Sequence, residues 1–197
     1  IDFRAQRRGG KGLSGMSTKE DDVVTTLFVA NTHTPLLFFT SDGMVYKLKT
    51  WRLPQGGRTA KGKAIVNILP IPQGVSIAAV MPVDRDEDHW DELQIAFATS
   101  AGDVRRNMLS DFTNVGRDST GVRGIRLSGD TRVVSMAVIR HFEATSEERI
   151  AYLKMRRAMA GLSDEDAGEE EEATDLALPQ ERYAEMSAAE DLILTIT

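Results

Sequence analysis

Thr40-Ser41-Asp42-Gly43-Met44-Val45-Tyr46-Lys47 returns 59 positions later as Thr99-Ser100-Ala101-Gly102-Asp103-Val104-Arg105-Arg106. Threonine, serine, glycine and valine recur in register, and the last position holds a cation both times. The apolar run Leu36-Leu37-Phe38-Phe39 leads into the first copy and Leu93-Gln94-Ile95-Ala96-Phe97-Ala98 into the second. An aromatic and β-branched run, a glycine turn and an alternating run make a β-hairpin, so one hairpin is written twice. A second element, Arg-x-x-(Lys/Thr)-Gly, recurs at residues 8–12, 58–62 and 117–121, each time followed by an apolar run, at 23–29, 75–83 and 133–139. Units of roughly 50 to 60 residues with about four strands have the size of a propeller blade. The expected fold over residues 1–140 is therefore all-β, a propeller-like repeat of four-stranded blades.

The third unit is interrupted. Residues 141–191 form an insertion of different character: Ile150 and Leu153, and Tyr152, Met155 and Met159, have helical spacing. Residues 164–172 are an acidic low-complexity run, and Pro179-Gln180-Glu181 opens a second helix. The insertion is expected to be partly helical and partly disordered. Residues 192–197, Leu-Ile-Leu-Thr-Ile-Thr, resume strand composition, with Thr197 at the place of Thr40 and Thr99.

The net charge of −6 conceals a division. Residues 1–140 hold 19 Lys and Arg against 15 Asp and Glu, residues 141–197 hold 5 against 15, so the parts carry +4 and −10. The absence of cysteine excludes disulfides, thiolate metal sites and cysteine nucleophiles, and suits a reducing compartment. No stretch approaches the roughly 18 apolar residues of a membrane span, so no membrane association is expected.

Enzyme motifs fail on context. Gly10-Lys11-Gly12-Leu13-Ser14-Gly15 fits G-x-G-x-x-G, but neither a strand before it nor a helix after it would aim amides at a pyrophosphate. The run 57–64 resembles a phosphate-binding loop, with Ala64 where a hydroxyl must hold magnesium and Pro70 opposing the helix. His33, His89 and His141 lack ligand spacing. The carboxylates Asp84, Asp86, Glu87, Asp88, Asp91 and Glu92 read as a solvated loop.

What remains is cationic and glycine-rich. In Gln6-Arg7-Arg8-Gly9-Gly10-Lys11-Gly12, cations alternate with residues that let a backbone approach a polyanion, and arginine forks match phosphate oxygens. Similar clusters recur once per unit at Arg58, Lys61 and Lys63, at Arg105 and Arg106, and at Arg117, Arg123 and Arg126. Smoothly bending 20 to 30 base pairs by 40 to 90° costs of order 1 to 6 kcal/mol, which calls for many phosphate contacts along an arc. With no recognition helix, binding should be insensitive to sequence and steeply dependent on salt.

These residues resemble a known family. The run 6–12 matches the gyrase A box, the seven-residue motif of the C-terminal DNA-wrapping domain of the gyrase A protein. Residues 29–33, 35–46, 62–70 and 120–127 extend the resemblance. It implies a β-pinwheel of five or six blades that exchange strands, with a basic rim that wraps duplex DNA so that ATP-dependent strand passage introduces negative supercoils. It also implies, as partners, the rest of the gyrase A protein and the gyrase B protein in an A2B2 assembly in the bacterial cytoplasm, at the nucleoid. The catalytic tyrosine and the ATPase are implied to lie elsewhere in that assembly, with ATP and magnesium used there and no cofactor held here. Measured against the family pattern, about one blade is expected to be missing between Val115 and Gly116, making an incomplete ring. Other readings are a protein-interaction propeller with incidental basic turns, the equivalent domain of a topoisomerase IV, and a small phosphate-loop enzyme using Lys63. The acidic insertion either competes with DNA for the rim or is an inert solvated loop.

Overall fold

The computed structural model describes residues 8–12, 15–16, 18, 23–57, 60–113, 121–161 and 176–194. Strands β1 (Pro35–Thr40) and β2 (Met44–Lys49) form the first hairpin, β4 (Leu93–Thr99) and β5 (Val104–Met108) the second. Between them lies β3 (Ile77–Pro82), and after them come β6 (Val122–Arg123) and β7 (Val133–Arg140). Two antiparallel sheets result, ordered β3-β1-β2-β6 and β5-β4-β7.

The repeat holds at the level of single hydrogen bonds. The turn glycines have left-handed backbones, φ +82° at Gly43 and +90° at Gly102, a conformation that costs a Cβ-bearing residue free energy. Gly43 N–H donates to Thr40 O at 3.0 Å and Gly102 N–H to Thr99 O at 3.1 Å. The buried hydroxyl of Thr40 accepts from Met44 N–H at 3.2 Å, and that of Thr99 accepts from Asp103 N–H at 3.0 Å. Ser41 exchanges two hydrogen bonds with Ser76 (2.8 and 3.1 Å), as Ser100 does with Arg132 (2.9 and 3.1 Å). Each first hairpin strand bulges just before its threonine, between Phe39 and Thr40 and between Ala98 and Thr99, which bends the strand toward its turn.

The sheets face one another across a core of Leu37, Phe39 and Val45 from one side and Ile95, Phe97 and Val133 from the other. Phe39 and Phe97 meet edge to face, ring centroids 5.8 Å apart, and burying each such ring is worth roughly 1.5–3 kcal/mol. Leu36, Phe38 and Tyr46 project to the opposite face of the first sheet and pack with Leu69 and Ile71. β1 is therefore buried on both faces.

β6 crosses between the sheets. It pairs with the edge of β2 through Met44–Arg123 and Val45–Val122, and the chain then enters the second sheet as β7. Gly43 O accepts from the N–H groups of Gly124 (2.9 Å) and Ile125 (3.3 Å), and Ile125 is buried in the core between the sheets. This crossing is the strand exchange that the family resemblance implied.

Two expectations are corrected. Residues 23–29 are not a strand, and Val23, Leu27 and Val29 are largely exposed. β3 and β7 each pair with the hairpin that precedes them, and among the described residues none precedes 23–29, so its backbone has no ladder to join. The same holds for residues 192–194, which lie exposed outside any strand; residues 195–197 lie outside the described residues. The acidic loop keeps Asp84, Asp86, Asp88, Asp91 and Glu92 exposed between β3 and β4, as expected. Glu87–Glu92 forms a 3-10 turn that buries Trp90, whose indole N–H donates to Asp84 O at 3.1 Å.

The insertion contributes α1 (Ser146–Met159) and α2 (Gln180–Ala188), as its helical spacing and Pro179 predicted. Its acidic run, 164–172, lies outside the described residues. Thr145 and Glu148 form a capping box at the start of α1, Tyr152 packs on Tyr183 at 5.0 Å, and Arg182 on α2 donates to Glu148 at 2.9 Å.

Two outcomes follow from this packing. A Cβ on Gly124 would stand 2.5 Å from Phe97 Cζ, whereas one on Gly57 would meet nothing within 4 Å. Gly124→Ala should thus lower stability in urea unfolding by about 1–3 kcal/mol, while Gly57→Ala stays within about 0.5 kcal/mol. The second concerns pH. The Arg182 hydrogen bond, then the Thr145 backbone, hold the Glu148 carboxyl below its usual range. A depressed folded value means stabilisation that is present above the unfolded carboxylate range and lost as pH falls through the depressed one. The far-UV helical signal should fall through that acid window, and Glu148→Gln should weaken it at neutral pH and flatten this part of the titration.

Candidate nucleic-acid interface

Among the described residues, cations differ in what holds them. Lys47 occupies the repeat position of Arg106, yet its ammonium pairs with Glu87 at 3.1 Å, donates to Thr113 O and sits 5.3 Å from the Trp90 ring centre, with its side chain 13% exposed. It ties the acidic turn to β2. Arg156 pairs with Glu190, and Arg182 pairs with Glu148 and Glu185, so these cations hold the insertion together.

The predicted site residues behave differently. Arg8, Lys11, Lys61, Lys63, Arg105, Arg106, Arg123 and Arg126 are all exposed, and among the described residues none of them forms an ion pair. A cation without a carboxylate partner keeps its full attraction for an external anion, since no internal pair must first be broken. Gln6, Arg7, Arg58 and Arg117 lie outside the described residues. Gly9, Gly10 and Gly12 are exposed, and Gly9 and Gly12 have φ of +85° and +74° with open space where a Cβ would project. Glycine there sets the path of the backbone around Arg8 and Lys11 and leaves it bare for close approach.

Four of the cations are carried by two segments that join at the seam between the sheets. Arg105 and Arg106 are consecutive on β5, the edge strand of the second sheet, so they project to opposite faces, and both are exposed. Arg105 Nε donates to Asn107 Oδ1 at 2.9 Å, and Asn107 Nδ2 donates to Gly124 O. This chain of bonds ties β5 to the crossing segment that carries Arg123 and Arg126. Asn107 was not among the residues predicted from sequence; an amide between a cation and a glycine turn gives no periodic signal. Lys61 and Lys63 lie on the irregular segment before the 3-10 turn Ile65–Asn67. Gly43 to Val83 holds six cations and no Asp or Glu, a run that could have marked this surface earlier.

Other chemistry finds no support in the geometry. Among the described residues no three His, Asp or Glu side chains are placed to hold a metal ion, and no helix is long and apolar enough to cross a membrane. His89 lies between Asp86 and Glu92, and its hydrogen bond to Glu92, followed by the charge of Asp86, raises its pKa. His141 Nδ1 lies 3.0 Å from Gln94 Nε2.

The profile of the family described as DNA gyrase C-terminal domain, beta-propeller, matches residues 2–31, 34–84 and 94–140. The gyrase A protein of Granulibacter bethesdensis is 38% identical over 257 residues, and that of Rickettsia bellii 35% over 246, each alignment covering 99% of this chain and 27% of the relative. The chain thus spans about a quarter of the length of these relatives. The Granulibacter alignment is 60 positions longer than the chain itself, close to one repeat unit. The junction of 115 and 116 lies outside the described residues. Among solved structures, the C-terminal domain of DNA topoisomerase IV superposes with TM-score 0.55 at 27% identity, covering 63% of this chain and 37% of that one. A DNA gyrase A C-terminal domain superposes with TM-score 0.50 at 21% identity, covering 72% and 43%, a likeness of fold.

If the seam meets phosphates, the double variant Arg105→Ala/Arg106→Ala should lower the slope of log K against log salt by about 2 in a duplex-binding titration, roughly one per lost contact. An unchanged slope removes both arginines from the interface.

Proposed function

The chain belongs to the family of DNA gyrase C-terminal β-propeller domains, and on that premise we propose that it binds duplex DNA along its basic surface and bends it, without reading base sequence. The observation that carries this reading is the set of exposed cations that form no ion pair among the described residues, four of them on the two segments that join where the blades exchange a strand. Because DNA resists bending, a wrapping surface works by many weak phosphate contacts spread along a path, not by one deep site. The box residues Gln6 to Gly12, Lys61 and Lys63, and the seam arginines, with Arg58 and Arg117, are assigned to that path. Non-specific binding follows from contacts made to phosphates, which are the same at every base pair.

Within a whole gyrase, this domain would present a segment of the wrapped DNA for strand passage, so that ATP hydrolysed on a partner protein drives negative supercoiling. The partners in this reading are the remainder of the gyrase A protein and the gyrase B protein in an A2B2 assembly, acting in the cytoplasm at the nucleoid. The domain itself would hold neither ATP nor magnesium and would perform no bond chemistry. The relatives named above favour gyrase over the topoisomerase IV alternative.

The test uses the complete enzyme. With Arg7, Arg8 and Lys11 replaced by alanine, ATP-dependent negative supercoiling should fall at least tenfold while ATP hydrolysis persists. Supercoiling at the normal rate would remove the box from the mechanism.

A further inference from the structure

The two tryptophans have opposite environments. Trp90 is fully buried, whereas Trp51 is 53% exposed, although its position is fixed: it belongs to the 3-10 turn Thr50–Arg52, and its backbone N–H donates to Thr32 O at 2.9 Å. Nothing in the repeat demands an indole there. The equivalent turn of the second unit has Ser110 in its place and buries Leu109 and Phe112 instead. An exposed large aromatic on a fixed turn presents an apolar face to solvent without the stabilisation that burial brings.

Its surroundings are cationic. The Arg52 guanidinium lies 5.1 Å from the centre of the indole, a cation–π arrangement that leaves its N–H donors available. Trp51 and Arg52 line a cavity of about 650 Å³ together with Pro54, Lys63 and Asn67. No carboxylate lines it, none occurs in sequence between Gly43 and Val83, and neither Arg52 nor Lys63 forms an ion pair among the described residues. An occupant must therefore be anionic and offer a flat face to the ring.

We infer that this groove binds an unpaired nucleotide of single-stranded DNA, its base stacked on Trp51 and its phosphates held by Arg52 and Lys63. Both faces of a base in a duplex are covered by its neighbours, so a duplex offers the ring only backbone and base-pair edges; an unpaired base offers a whole face. Asn67 supplies an amide that can donate to and accept from a base edge. The inference rests on the DNA-binding reading of the basic surface and adds to it a preference for unpaired bases.

The experiment uses the intact chain and its own fluorescence. Because Trp90 is sealed in the core, emission sensitive to added ligand reports on Trp51. Three probes of equal charge are compared: a 20-residue thymidine oligonucleotide, an abasic oligonucleotide of the same length, and a duplex carrying the same number of phosphates, lengths being set by the roughly 4–16 nucleotides that single-strand sites cover. The thymidine oligomer should quench Trp51 and, read by the anisotropy of an end-labelled probe because the variants lack the reporting indole, should bind about tenfold more weakly to Trp51→Ala. Trp51→Phe should keep most of the affinity, and duplex binding should change by less than about twofold in either variant. Equal binding of the abasic and thymidine oligomers would overturn the inference, as would a Trp51→Ala variant that loses single-strand and duplex binding alike or loses neither. Absent duplex binding with intact thymidine quenching would instead sink the wrapping function and leave this site standing.

Discussion

The path of residues 121–125 over the junction of the two sheets is the constraint on which the arrangement depends. Gly124 lies so close to Phe97 that a Cβ would stand 2.5 Å from the ring, and a Cβ on Gly43 would stand 2.6 Å from Ile125 O. Two glycines therefore allow a strand of one blade to reach the edge of the next while Ile125 drops between them. With the crossing in place, β2 gains a neighbour, Gly43 O gains its donors, and the core between the sheets is closed on that side. Bulk at the crossing would separate the blades and open that core to water.

The same crossing organises the charge. Asn107 bonds to Gly124 O, so the residues that pack the blades together also tie the strand that carries Arg105 and Arg106 to the segment that carries Arg123 and Arg126. Internal carboxylates are occupied elsewhere: Glu87 holds Lys47, while Glu148, Glu185 and Glu190 hold the helices of the insertion. A surface whose cations are not tied up in ion pairs attracts a polyanion even though the chain as a whole is negative. The net charge of −6 thus describes solubility and says little about this face.

Much of the fold was legible because its repeat is a repeat of mechanism. Threonine, serine and glycine recur at 40, 41 and 43 and again at 99, 100 and 102 since the same turn needs the same hydroxyl acceptors and the same left-handed residue. The helices of the insertion showed through the spacing of Ile150, Leu153, Tyr152, Met155 and Met159 and through Pro179-Gln180-Glu181. Residues 23–29 and 192–194 misled because strand composition states only a capacity for pairing. A ladder also requires a partner edge, and that lies in the topology.

For the interface, sequence alone determined which residues could serve: the glycine-rich cationic runs and their recurrence at blade spacing. Tertiary structure decided which cations remain available. Lys47 and Arg106 stand at the same position of the repeat, and only packing draws the first onto Glu87 and Trp90 while leaving the second on an open edge. It also buried Trp90 and left Trp51 at the surface beside Arg52. The physical reason is that composition and spacing act along the chain, whereas burial, ion pairing and the closeness of Asn107 to Gly124 depend on segments far apart in sequence that meet only once the blades have formed.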